Sequence, residues 1–106
     1  MFIELKDISS FQIVEGYLAK AIHTDQLSVM YVHIKAGAPL PEHHHPHEQI
    51  TNIIEGELKM TVGGISKTCV PGDVVVIPSN VPHSAVALTD CRVMDVFNPP
   101  REDLKQ

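Results

Sequence analysis

No stretch of this 106-residue chain approaches the roughly 18 consecutive apolar residues that a membrane-spanning helix needs. No block of lysine or arginine occurs, and the formal charge is −5, which argues against nucleic acid or an anionic membrane as the main partner. The N-terminus, MFIELKDISS, carries acids early and has no long apolar core followed by small residues, so it does not read as a secretory signal. The two cysteines, Cys69 and Cys91, stand far apart and make no C-x-x-C pair. Without an export signal they read as two reduced, buried thiols, and the expected location is the cytoplasm. There is no internal repeat, linker or low-complexity tract.

What is present fits a single domain spanning residues 1–106. At 43% hydrophobic and 20% charged, the composition is that of an ordinary globular protein. A domain of this size buries only about two thirds of its unfolded surface, so pairing with a second copy would add stability. Almost every segment has strand character. Residues 16–23 and 27–34 flank a short polar turn at 24–26 and suggest a hairpin. Gly37, Pro39 and Pro41 then break regular structure. Residues 50–54 and 57–62 follow, and Gly63-Gly64 supplies the positive φ angles of a primed turn before residues 65–70. Pro71-Gly72-Asp73 precedes 74–77 (VVVI), whose continuous apolar run predicts a strand buried on both faces. Residues 84–88 and 91–97 complete the series, and the first ten residues and 101–106 have room for short helical turns. Short strands at regular spacing with Gly and Pro turns describe an all-β sandwich or barrel.

The segment HHHPHEQ, residues 43–49, holds four of the seven histidines. Side chains alternate along a strand, so His43 and His45 share a face with Gln49, and His44 points the other way. Strict alternation adds His47, but Pro46 cannot donate to a ladder and distorts a strand there. Neutral imidazole is a common ligand of divalent transition metals, and an amide oxygen is a weaker, uncharged one. A solvated loop without function is the alternative for this segment alone. Downstream, residues 71–85 read PGDVVVIPSNVPHSA, and the lone His83 becomes the remote ligand that a closed site requires.

Gly37, His43-x-His45, Gln49 and Gly56 resemble the first cupin motif, in which most members carry Glu where Gln49 stands. Gly72, Pro78, Asn80 and His83 are similar to the second. Asn80 replaces a glycine, a mild change because Asn tolerates the left-handed conformation. Ala87 replaces a frequent Asn. The resemblance implies a cupin barrel, a double-stranded β-helix or jelly roll, and one divalent metal on His43, His45, Gln49 and His83. Three imidazoles and a neutral amide leave the cation its full charge, which suits Lewis-acid polarisation of an anionic or carbonyl oxygen. Ligand type does not choose between nickel, iron, zinc, manganese and cobalt.

In the C-terminal stretch Asp95 and Phe97 share one face of a strand, and Arg101 follows. With the histidine segments, this DVFxPxRED ending resembles the small cupins of pectin and alginate breakdown that linearise unsaturated uronates. That resemblance implies a 4,5-unsaturated monouronate as substrate, Asp95 as general acid/base, Arg101 as a clamp on the substrate carboxylate, and Phe97 and His47 as pocket residues. Size and resemblance together suggest a homodimer. Two other readings stay open. One is a different metal-dependent enzyme, a dioxygenase or sugar isomerase. The other is a non-catalytic module binding a sugar acid or other small anion, which would need metal and pocket but no proton donor.

Overall fold

The computed structural model describes residues 1–105. Ten strands follow one another: β1 (Phe11–Val14), β2 (Tyr17–His23), β3 (Ser28–Ile34), β4 (Pro39–His43), β5 (Glu48–Glu55), β6 (Leu58–Val62), β7 (Ile65–Cys69), β8 (Val74–Ile77), β9 (His83–Ala87) and β10 (Cys91–Asn98). Single 3₁₀ turns stand at Leu5–Asp7 and Glu102–Leu104, where the sequence leaves room for them; Gln106 lies outside the described residues. The strands form two antiparallel sheets, one of six in the order β1-β2-β3-β10-β5-β8 and one of four in the order β4-β9-β6-β7. This is the all-β jelly roll that the motifs imply. Among the described residues no helix is long and apolar enough to cross a membrane.

Alternation builds the core. In β3, Ser28, Met30, Val32 and Ile34 turn inward, and in β10 Cys91, Val93, Asp95 and Phe97 do the same. Fully buried side chains such as Ile34 and Phe97 each contribute about 1.5–3 kcal/mol through the apolar area they remove from water. Cys69 and Cys91 are both buried and free, as their spacing suggests. The β2–β3 turn closes where Thr24 Oγ1 accepts from the backbone of Leu27 at 3.0 Å. Gly63 and Gly64, at φ 55 and 82, make the β6–β7 turn. A side chain at Gly56 would collide with the carbonyl of Asp90.

Two segments differ from the sequence expectation. Pro39 and Pro41 do not end regular structure, because β4 is the edge strand of the smaller sheet and, among the described residues, pairs with β9 alone. Its missing N–H groups face no partner strand, and a register shift between Leu40 and His43 absorbs the irregularity. The VVVI run is not buried on both faces. It forms the edge strand β8, where Ile77 is fully buried but Val74 and Val76 are 58% and 63% exposed. Periodicity in a run of apolar residues carries no information about which face another layer covers.

Candidate metal centre

The polar side chains of the interior gather at one level of the barrel because of strand register. In the larger sheet Gln49 sits opposite Phe97, and Thr51 opposite Asp95. In the smaller sheet His43 sits opposite His83. His45 lies on the connection that carries the chain from β4 to β5. That connection is tied to the loop before β9: the backbone N–H of Asn80 donates to the carbonyl of His45 at 2.8 Å, and Ser79 Oγ donates to that of Pro46 at 2.6 Å. Asn80 takes φ 62, the left-handed conformation that this residue tolerates.

His43, His45 and His83 each offer a ring nitrogen within 4.8 Å of the others. The other nitrogen of each ring is already committed. Nδ1 donates to the carbonyl of Pro41 in His43, of His47 in His45 and of Val81 in His83, at 2.9, 3.1 and 2.9 Å. A carbonyl only accepts, so Nδ1 carries the hydrogen and Nε2 is left to face the centre. Metal-binding histidines are fixed in this way. Burial pushes the His45 imidazole down to about 4, helped by the nearby Arg101 charge, and burial lowers that of His83 as well. Both rings are therefore neutral near pH 7, and His83 Nε2 is buried with no partner among the described residues.

Gln49 points its amide oxygen at His45 Nε2, 3.1 Å away. Its amide nitrogen donates instead to Thr51 Oγ1 at 2.9 Å. Two acceptors therefore face each other with no hydrogen between them, which is unfavourable when buried unless a cation lies close to both. The orphaned Nε2 of His83 points to the same conclusion. These residues fit a divalent metal.

Beside the histidines lies a cavity of about 340 Å³, in the range of small-ligand sites and large enough for one sugar ring. His43, Gln49, Thr51, His83, Asp95 and Arg101 line it, together with Phe97 and apolar side chains such as Met30 and Met60. Asp95 is buried and accepts from Thr51 Oγ1 at 2.7 Å. Burial pushes its carboxyl up to about 6, against the opposing pull of the Thr51 and Gln49 hydrogen bonds and the Arg101 charge. The Arg101 guanidinium lies 4.8 Å from the centre of the Phe97 ring. Asp103 holds the guanidinium, and Ser28 Oγ accepts from the Arg101 backbone N–H at 2.8 Å while sharing a 2.6 Å hydrogen bond with His23 Nδ1.

The structure thus brings His43, His45, Gln49, His83, Asp95, Phe97 and Arg101 together. His47 stands apart from the cavity lining, its ring edge-on to His45 and Phe97 at 5.3 and 6.5 Å, with Nδ1 buried and without a hydrogen-bond partner among the described residues. Its carbonyl is what orients His45. His44 is exposed. Sequence reasoning missed Thr51, Ser28 and Asp103. Thr51 has the parity of Gln49 in one strand and could have been found by that signal; nothing in the sequence marks Ser28.

Comparison with known proteins identifies the fold. The family model described as the cupin domain matches residues 30–97. KdgF from Halomonas sp. is 30% identical with a TM-score of 0.92, over 99% of this chain and 98% of that one. An RmlC-like cupin from Shewanella frigidimarina is 28% identical with a TM-score of 0.93, over 98% and 95%. Ectoine synthase from P. lautus, 23% identical with a TM-score of 0.84 over 94% and 78%, shares the fold. No curated protein matches. With the two motifs, the two-sheet barrel and the converging histidines in place, the chain belongs to the cupin family, as a small cupin resembling those that linearise uronates.

Proposed function

We propose that this cupin is a metal-dependent enzyme that converts a 4,5-unsaturated monouronate to its linear 5-keto form. The observation that carries the reading is Asp95: a buried carboxyl on the cavity wall, held near pKa 6, within the same lining as the histidines and Arg101. A non-catalytic anion site has no use for such a group, whereas a general acid works best with a pKa near the operating pH. The likeness to KdgF along nearly the full length of both chains supports the same reading.

In this reading His43, His45, His83 and Gln49 Oε1 hold the metal. When bound, a divalent metal supplies a fixed positive charge that polarises a carboxylate or ring oxygen. Asp95 delivers a proton to C4 of the enol ether while water adds at C5. The resulting hemiketal opens by breaking the bond between C5 and the ring oxygen. C5 becomes a ketone and water is returned at C1, so the product is an isomer of the substrate. Arg101 binds the substrate carboxylate, and Phe97 supports the guanidinium and dries the surroundings of the acid. His47 acts through its carbonyl, which orients His45, rather than by lining the cavity.

We also propose that the protein pairs with a second copy through the outer face of the larger sheet. Ile22, Val29, Val96, Ile50 and Val76 occupy successive register positions straight across five strands. Ile50 and Val76 in this row are exposed at 42% and 63%. A row of β-branched residues on an outward face is the composition of an interface rather than of a solvated sheet.

The test is incubation of the metal-loaded protein with the unsaturated monouronate released by a pectin or alginate lyase. Loss of the ultraviolet enol absorbance is followed for wild type and for Asp95→Asn. Accelerated loss by wild type alone, with equal metal content in both, is the expected result. No acceleration with nickel, iron, zinc, cobalt or manganese overturns the reading. Oxygen uptake during turnover would place the protein among the oxygenases instead.

A further inference from the structure

Thr51 stands between the two working halves of the site. It is 2% exposed, and its hydroxyl is the link between Asp95 and Gln49. A hydroxyl has one hydrogen to give. Thr51 gives it to Asp95 Oδ1 at 2.7 Å, so toward Gln49 the oxygen can only accept. The amide NH₂ of Gln49 must therefore turn to Thr51, at 2.9 Å, and the amide oxygen is left facing His45 and the metal position. An amide turned the other way would present an NH₂ group, which has no lone pair to offer a cation.

We propose that Thr51 is a positioning residue that, together with the Asp95 carboxylate it donates to, sets which end of Gln49 faces the metal. The proposal rests on the metal site inferred above and extends it to a residue outside the coordinating set. It also accounts for the glutamine. A glutamate at position 49 would need no orientation, because both of its ends are oxygen. It would, however, set a second acceptor against the single hydroxyl hydrogen that Asp95 uses. Gln49, Thr51 and Asp95 thus form one set in which the hydroxyl hydrogen goes to Asp95 and the amide NH₂ faces two acceptors, the Thr51 oxygen and the Asp95 carboxylate.

The experiment uses cobalt(II) as the probe with Thr51→Val and Thr51→Ser, each in the wild-type and the Gln49→Glu background. The dissociation constant comes from competition with a chromophoric chelator, and the visible absorption of bound cobalt reports the ligand set. Thermal melts of the metal-free proteins confirm folding. Thr51→Val is expected to weaken cobalt binding by about 10–100-fold, the usual cost of losing a group that orients a ligand, and to change the cobalt spectrum. Thr51→Ser restores both. In the Gln49→Glu background Thr51→Val leaves affinity unchanged. Wild-type affinity and spectrum in Thr51→Val, or an equal loss in both backgrounds, overturns the proposal. Should Thr51→Val not fold, Thr51→Ala carries the same expectations. A wild-type protein that binds no cobalt sinks the metal site itself, which is a separate outcome from cobalt binding that ignores Thr51.

Discussion

Asp103 holds Arg101 by one edge of its guanidinium: Oδ1 accepts from Nε at 3.1 Å and Oδ2 from Nη2 at 2.9 Å. Nη1 and the second hydrogen of Nη2 form the opposite edge, and that edge remains for a ligand carboxylate. The Phe97 ring fixes the plane of the fork. The pair lies partly in solvent, with Asp103 57% exposed against 13% for Arg101, so its own strength is that of a rim ion pair.

That division of labour separates two substitutions. Arg101→Lys removes the planar fork and should lower kcat/KM on the unsaturated uronate about 10–100-fold, the range for losing hydrogen bonds to a charged group. Asp103→Ala removes only the support and should raise KM by about two- to fivefold with little change in kcat, in keeping with the few tenths to 1 kcal/mol of an exposed pair. Steady-state kinetics on both variants checks the prediction. An equal loss in the two would mean that Asp103 does more than steady the arginine.

His83 gives the cleanest test of metal binding by stability. A ligand present at about 100 times its dissociation constant adds roughly 2.7 kcal/mol to the folded state, which for a chain of this length raises Tm by about 10 °C or more. Wild-type protein should show that rise with added nickel or cobalt and lose it with a chelator. His83→Ala should melt without any response to metal. A rise of the same size in that variant would remove His83 from the ligand set.

Much of this site was legible because strand parity and motif spacing act locally. His43, His45 and Gln49 share parity, and the structure does gather them. The reason is only partly the one parity gives: β4 ends at His43, the chain crosses between sheets, and β5 begins at Glu48. His45 reaches the centre from that crossing, which is held by hydrogen bonds from Asn80 and Ser79 that no periodicity encodes. Asp95 and Phe97 share an inward face as read. Val74 and Val76 show the limit, since an apolar run states that a strand is present and not which layer covers it. Ser28 was invisible for a similar reason: its hydrogen bond to Arg101 spans 73 residues and depends on tertiary placement alone.

The outer face of the larger sheet predicts an assembly state. Ile50 lies in the apolar row between Val96 and Val76, on the face of its strand opposite Gln49, so Ile50→Glu places a charge in the proposed contact while leaving the interior intact. Sedimentation equilibrium should show a dimer for wild type and a monomer for the variant, with unchanged metal binding. A wild-type monomer at micromolar concentration would dispose of the interface.

The pH dependence of folding provides an independent reading of Asp95. Its carboxyl is raised by burial from the usual 3.8 to about 6, so the folded protein holds a proton that the unfolded chain releases. The associated stability is complete below pH 4 and is lost as pH rises through about 6. His45 works in the opposite sense. Its imidazole is lowered from 6.5 to about 4, so its contribution is present above pH 6.5 and is lost as pH falls through 4. Between pH 4 and 6 the two oppose each other in the metal-free protein, and the lowered His83 adds to the His45 side. Asp95→Asn deletes one arm of that balance. Its unfolding free energy should climb more steeply than that of wild type from pH 4 to 6, by up to roughly 1.4 kcal/mol per pH unit for one proton. Urea unfolding of chelator-treated protein at several pH values measures the difference, and parallel curves would show that Asp95 is not held protonated by its surroundings.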